Sequence, residues 1–141
     1  MVKSARKDEP FSLDPVGNST MGFVLKVREG LPLKSLAQLS AHVAPDDSSF
    51  KYRIVKKATF ARRKNAGQPL SQIESELVVR IGRLWSIGLE IFDDEEATRT
   101  FFTRPHPMLA GESPLDVALS GEAGARLVEN ILGRLLYGSA A

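Results

Sequence analysis

The stretch FFTRPHPMLAGESPLDVALSGEAGARLVENILGRLLY, residues 101–137, contains the signals that decide the fold. Ser113 followed by Pro114 is typical of a helix start, because a hydroxyl can cap the helix and proline is tolerated in its first turn. Ser120, two residues before Glu122, is a second candidate cap, and the acid suits the positive end of a helix dipole. The stretch therefore predicts two consecutive helices.

The second of these helices has a wide apolar stripe. Its apolar residues recur at spacings of three and four, which places them on one side of an α-helix. They are Leu127, Val128, Ile131, Leu132, Leu135 and Leu136. Gly138 follows and predicts the helix end, because glycine readily adopts the backbone conformation that is common there. We expect Leu127, Val128 and Ile131 to lie in the core.

A long amphipathic helix is predicted upstream, from Ser71 to Phe92. Ser71 and Glu74 have the spacing of a capping box. The apolar positions on one side of the helix are Ile73, Leu77, Ile81, Leu84, Trp85, Gly88, Ile91 and Phe92. A helix of roughly 20 residues spans about 30 Å. We interpret it as the element that joins the two halves of the chain, with Trp85 in the core.

A basic segment in the first half is the strongest charge asymmetry of the chain. From Lys51 to Lys64 there are seven lysines and arginines and no acid. A helix is predicted over Pro32–Val43, and two shorter ones over Phe50–Val55 and Ala58–Lys64. Two short helices with a tight turn and a basic second helix fit a helix-turn-helix. A solvated basic face is the alternative.

Composition limits the classes of protein. The chain has 141 residues, a formal net charge of +2 and no cysteine. This length suits one domain, or two small helical pieces that share a core. The absence of cysteine excludes disulfides and cysteine-based zinc sites. No apolar run approaches the roughly 20 residues that span a bilayer, and no signal peptide is recognisable, so we expect a cytoplasmic protein.

Motifs of catalysis are absent from the sequence. There is no glycine-rich phosphate loop and no His-x-x-x-His, and the two histidines, His42 and His106, are far apart. The acids of residues 93–96 do not converge, because neighbours on a helix face about 100° apart; they suit the start of a helix that reaches about Thr103. We expect no enzyme activity, no metal and no cofactor.

The C-terminal stretch resembles the toxin-binding domain of the Xre/MbcA/ParS antitoxins of type II toxin–antitoxin pairs. The elements that carry the resemblance are Phe101-Phe102, Pro105, Leu109-Ala110-Gly111, Ser113-Pro114-Leu115, Gly124 with Val128, and the closing residues 132–138. The chain departs from the family pattern at Phe101, where tryptophan is usual, and at His106, where asparagine is usual. Residues 54–63 are similar to the family's Xre-like DNA-binding segment.

The resemblance covers about residues 30–138 and implies an all-α fold. It implies an Xre-like helix-turn-helix region that a long helix joins to a compact C-terminal helical toxin-binding domain. We expect a disordered or loosely attached arm over residues 1–22 and the helix-turn-helix region over 23–69. The long helix and toxin-binding domain would occupy 70–141.

The resemblance also implies an antitoxin that occludes the active site of a toxin and binds the operator of its own operon. In this family the commonest partner is a RES-domain toxin, encoded by the adjacent gene, which consumes NAD or transfers ADP-ribose from it. A homodimer or a 2:2 complex with toxin is expected, because helix-turn-helix proteins usually bind DNA as dimers. A DNA-binding repressor without a toxin and a helical adaptor are the alternatives, although an adaptor does not need the basic segment.

Candidate site residues follow from these expectations. Those expected to bind DNA are Lys56, Lys57, Thr59, Arg62, Arg63 and Lys64. Those expected to bind toxin are Arg126, Asn130, Arg134, Leu135, Tyr137, Gly138 and Ser139. Arg126 and Arg134 lie eight residues apart, about two helical turns, and Tyr137 is an aromatic anchor of the type enriched in binding hot spots. A solvated helix end is the alternative for Arg134.

Overall fold

The computed structural model describes residues 20–138, which are α-helical with no strand. The α-helices are α1 (Thr20–Glu29), α2 (Leu33–Val43), α3 (Lys57–Ala66), α4 (Gln72–Phe92), α5 (Glu95–Thr103), α6 (Pro114–Ser120) and α7 (Glu122–Tyr137). Two short 3-10 helices lie at Phe50–Arg53 and Pro107–Leu109. The predicted all-α fold is confirmed. The chain divides within α4 into two compact units, one up to Val79 and one from Arg80.

The core of the first unit lies around α2. Leu36, Leu39 and Val43 are buried on one side of this helix at spacings of three and four, as its apolar pattern predicts. Further buried side chains come from the flanking segments: Leu31, Phe50, Val55, Leu70 and Val78. The helix predicted over Pro32–Val43 is confirmed, with Pro32 as its N-cap residue.

Helix α1 was not predicted from the sequence. The arm expected over residues 1–22 lies outside the described residues except for its last three, which form the first turn of α1. No residue of α1 is buried, and its apolar residues Met21 and Leu25 are exposed. It ends at Gly30, whose positive φ of 108° favours glycine.

The junction after α1 is held by hydrogen bonds within the first unit. The Leu31 N–H donates to Ser75 Oγ at 2.8 Å, and the Leu70 N–H donates to the Leu31 carbonyl at 2.9 Å. A Cβ atom on Gly30 would lie 2.0 Å from the Leu70 carbonyl oxygen. This backbone contact therefore requires glycine.

The capping box predicted for α4 is confirmed. Ser71 Oγ accepts from the Glu74 N–H at 3.1 Å, and Glu74 Oε1 accepts from the Ser71 N–H at 2.8 Å. The first residue of the predicted apolar side, Ile73, is 79% exposed. The first turns direct Ser75 and Val78 inward, and Ile73 lies nearly opposite to both at 100° per residue.

The second unit packs around Trp85, which is buried as predicted. Its ring centroid lies 6.1 Å from that of Phe102 in α5. Gly88 permits this close packing, since a Cβ atom there would lie 2.8 Å from Thr98 Cγ2 and 3.1 Å from Phe102 Cε2. Asp94 caps α5 by accepting from the Ala97 N–H at 2.7 Å.

Helices α6 and α7 follow the two predicted starts, with one correction. Ser113 Oγ caps α6 by accepting from the Asp116 N–H at 3.1 Å. Ser120 does not cap α7: it is the last residue of α6, and its hydroxyl donates to the Val117 carbonyl at 2.6 Å. Such bonding back to the preceding turn is a common alternative for a serine hydroxyl. Gly121 stands at the N-cap of α7 instead.

Helix α7 buries only part of its apolar stripe. Its buried residues are Ala125, Val128, Ile131 and Leu132. The expectation that Leu127 lies in the core was wrong, because this side chain is 43% exposed. Leu127 is adjacent to Val128 and is therefore turned about 100° away from it. The helix ends before Gly138 (φ 79°), as predicted.

Candidate functional site

Helix α3 presents the basic segment of the first unit. No residue of this ten-residue helix is buried. The residues predicted to bind DNA lie along it or at its N-cap, and Lys56, Lys57, Arg62 and Lys64 are exposed while Thr59 is half-buried. Gly67 ends the helix with a positive φ of 66°. The predicted helix is confirmed, and its exposed cations can reach a large anionic partner.

Arg63 is bound differently from its neighbours. Its Nη1 donates to Glu74 Oε1, and both side chains are largely buried. Burial raises the pKa of Glu74, but hydrogen bonds from Ser71 and Arg63 outweigh it, so the pKa lies below its usual value. The same carboxylate therefore caps α4 and holds α3. Arg63 positions α3, whereas Arg62 is available at the surface.

The exposed face of α7 brings together most residues that were predicted to bind toxin. Arg126, Asn130, Arg134 and Tyr137 follow one another at spacings of four, four and three, and all are exposed. Leu127 lies on the same face, three residues before Asn130 and seven before Arg134. We call these five residues the α7 surface. Tyr137 is its most exposed member, at 85%.

Leu127 was missed as a surface residue. Its position in the apolar run suggested a core role, and only the packing of α7 distinguishes it from Val128. The spacing of three and seven residues to Asn130 and Arg134 was the available signal. The α7 surface thus has an apolar residue beside two guanidinium groups.

Three predicted toxin-binding residues lie apart from the α7 surface or outside the described residues. Leu135 lies on the side of Val128 and Ile131, yet it is 49% exposed because the buried stripe extends past the core near the helix end. Gly138 is exposed directly after the helix. Ser139 lies outside the described residues.

The ion pairs of α7 involve its first half. Glu122 Oε1 accepts from Arg80 Nε at 3.2 Å, and Glu122 Oε2 lies 3.6 Å from Arg126 Nη2. Arg126 is largely exposed, so this pair contributes little to stability. Arg134 lies in the last turn of α7, where a cation interacts favourably with the helix dipole.

Two other kinds of feature were searched among residues 20–138. No group of three histidine, aspartate or glutamate side chains there could hold a metal ion. No helix in that range has the length and apolar character needed to cross a membrane.

Comparison with protein families assigns both halves of the chain. Residues 23–83 match the antitoxin Xre-like helix-turn-helix domain, and residues 88–138 match the antitoxin Xre/MbcA/ParS C-terminal toxin-binding domain. The chain belongs to the Xre/MbcA/ParS antitoxins. No curated protein matches it. The antitoxin therefore has a helix-turn-helix DNA-binding domain and a toxin-binding domain.

The two family matches contain nearly all of the predicted site residues. The six residues predicted to bind DNA lie within 23–83, and the α7 surface lies within 88–138. The helix-turn-helix match extends to residue 83, inside α4, and the toxin-binding match begins at residue 88 near the end of the same helix.

Proposed function

We propose that this antitoxin neutralises a RES-domain toxin by placing the α7 surface in the toxin's active site. The observation that supports the proposal is the exposed face of α7 within the family's toxin-binding domain. The RES class is the commonest partner implied by the family resemblance, and its members consume NAD or transfer ADP-ribose from it. The toxin would be the product of the adjacent gene.

The chemistry of the α7 surface suits occlusion of a polar cleft. The guanidinium groups of Arg126 and Arg134 can donate in a planar fork to carboxylates and other acceptors. Tyr137 offers a rigid ring with a polar tip, and Leu127 adds apolar contact. A helix end with these groups, seated in the cleft, would exclude a dinucleotide substrate.

A truncation tests the proposal without removing the core. The described residues from Arg134 onward include no buried side chain, so deletion of residues 134–141 should leave a folded protein that still binds DNA. Growth of cells that co-express the toxin with this variant should no longer be rescued. Circular dichroism checks the fold, and Arg104→Ala, an exposed cation elsewhere in the unit, is the control.

The outcomes of this experiment separate two parts of the proposal. Full rescue by the folded truncation would move the inhibitory surface away from the end of α7, and the loop of residues 105–114 would be the next candidate. Failure of the wild-type protein to rescue growth or to co-purify with the adjacent gene product would refute the toxin assignment itself. The RES class is tested by NAD consumption, which the purified toxin should catalyse and the purified toxin–antitoxin complex should not.

We propose further that the antitoxin represses its own operon through α3. The exposed cations of α3 within the helix-turn-helix match support this role. A dimer, or a 2:2 complex with toxin, would present two such helices to a palindromic operator. Light scattering of the free protein and the complex tests this assembly, and a monomer in both at tens of micromolar would contradict it.

A further inference from the structure

An aromatic pair beside the start of α3 contacts two lysines. Tyr52 of the first 3-10 helix and Phe60 of α3 meet edge to face, with ring centroids 6.1 Å apart. Lys51 Nζ lies 5.4 Å from the Tyr52 centroid and 5.2 Å from that of Phe60. Lys57 Nζ lies 5.8 Å from the Tyr52 centroid. These distances are in the range of cation–π interactions, and we call the four residues the Tyr52 cluster.

The Tyr52 cluster contains no acid to offset its charge. Within residues 20–138, neither Lys51 nor Lys57 has a carboxylate oxygen within 4.0 Å. Asp47 accepts hydrogen bonds from the Ser49 N–H and hydroxyl, and Glu74 is engaged by α3 and α4 as described above. Two cations on one ring repel each other, so the arrangement favours an anion from outside the chain.

The cluster also keeps the lysines able to bind that anion. A cation–π contact uses the face of the ring and leaves ammonium N–H donors on the other side. Holding the long lysine side chains in place lowers the conformational entropy that they would lose on binding. The Tyr52 cluster therefore preorganises two ammonium groups, on Lys51 and Lys57, that can donate hydrogen bonds to phosphate.

We propose that Lys51 and Lys57, positioned by Tyr52 and Phe60, bind the phosphate backbone of operator DNA beside α3. This inference rests on the proposed DNA binding of α3 and adds Lys51 and Tyr52 to it. Contacts of this kind fix the position of a protein on the duplex without reading its sequence. Lys51 should therefore contribute to binding of any duplex, with the same effect on operator and on unrelated DNA.

A salt titration of DNA affinity tests the role of Lys51. The full chain is titrated against a labelled duplex that carries the region upstream of its own coding sequence, and against an unrelated duplex of equal length. Lys51→Ala should make the plot of log affinity against log salt less steep by about 0.9, the value for one phosphate contact. Lys51→Arg should restore the slope. Lys34→Ala removes an exposed cation of α2, outside the basic segment, and should leave it unchanged.

A second pair of variants tests the positioning role of Tyr52. Tyr52→Leu removes the ring face, so each released lysine must be ordered again on binding, and this should weaken binding of both duplexes by about two- to tenfold per lysine. Tyr52→Phe keeps the face and should bind as the wild type does. A purely structural role for Tyr52 would lower the melting temperature without weakening DNA binding by the folded protein, so circular dichroism melts accompany each titration.

The outcomes distinguish this inference from the proposed function. Absence of DNA binding by the wild-type protein would overturn both. Normal binding whose slope is unchanged by Lys51→Ala, or changed equally by Lys34→Ala, would overturn the inference alone. If Tyr52→Leu does not fold, Lys51→Ala still decides whether Lys51 contacts phosphate, because Lys51 is not a buried side chain.

Discussion

Gly124 of α7 is the residue whose replacement has the most directly calculable effect on the toxin-binding domain. A Cβ atom there would lie 2.0 Å from the Val117 carbonyl oxygen and 2.9 Å from Ser120 Oγ. Real Cβ atoms essentially never approach a neighbour closer than 3.0 Å. Since the Val117 oxygen belongs to the backbone of α6, no side-chain rotation can relieve the overlap. Gly124→Ala must therefore separate α6 from α7.

The magnitude follows from two opposing effects. Overpacking of this kind costs about 1–3 kcal/mol, whereas alanine in place of glycine favours a helix by about 0.5–1 kcal/mol. We expect a net loss of about 1–2 kcal/mol in the free energy of unfolding of the second unit. For a domain of this size, this lowers the melting temperature by about 5–15 °C.

Fluorescence of Trp85 measures this effect in the correct unit. It is the only tryptophan of the chain and is buried beside Phe102 in the second unit. Urea titrations of the full-length protein, followed by Trp85 emission, should give a lower midpoint for Gly124→Ala than for the wild type. The slope with urea should be unchanged, because the exposed surface of the unfolded chain is the same.

Gly133→Ala is the matched control on the same helix. A Cβ atom at Gly133 meets no atom within 4 Å, so only the gain in helix propensity remains, and the variant should be at least as stable as the wild type. If Gly124→Ala were as stable as Gly133→Ala, the close approach of α6 and α7 would be refuted. The packing explanation for this family glycine would then fail with it.

Three further predictions concern the first unit. Glu74→Gln should lower the free energy of unfolding of the first unit by about 0.5–1.5 kcal/mol. Because folding lowers the pKa of Glu74, the stability advantage of the wild type should be complete above the ordinary glutamate pKa and be lost as the pH falls through the pKa of the folded state. Urea titrations followed by circular dichroism, from neutral to acid pH, measure this advantage. Arg62→Ala should flatten the salt dependence of DNA affinity and leave the melting temperature unchanged. Arg63→Ala should flatten it and also lower the melting temperature, and both variants should still neutralise toxin. Equal melting temperatures of the two variants would contradict the role of the Arg63–Glu74 pair. Gly30→Ala should destabilise the unit more than Gly67→Ala, because both have positive φ but only Gly30 meets a backbone atom, and equal thermal melts would refute that contact.

Local signals in the sequence predicted the helix starts well. The starts at Ser71 and Ser113 each use hydrogen bonds between residues three apart, with Glu74 and Asp116, so their geometry is contained in a short segment. Ser120 failed as a cap because its hydroxyl had an alternative acceptor one turn back. A local pattern therefore identifies a start only where no competing local bond exists.

Side-chain burial was less predictable because it depends on which neighbours are present. Ile73 and Leu127 belong to regular apolar patterns, yet both are exposed. Helix α1 was missed for a related reason, since none of its residues is buried and its apolar residues Met21 and Leu25 are exposed. Periodicity shows which residues share a side of a helix, but tertiary packing decides which side is buried.

The basic segment shows that tertiary packing also decides the role of a charged residue. Arg62 and Arg63 are adjacent and identical in type, and the sequence predicted one role for both. The structure places Arg63 on the Glu74 carboxylate and leaves Arg62 exposed. An arginine held by a largely buried carboxylate cannot be withdrawn without leaving that charge unpaired. The loss of DNA affinity in an Arg63 variant would therefore report the position of α3 as much as a lost phosphate contact, and Arg62 is the residue on which the DNA-binding proposal should be judged.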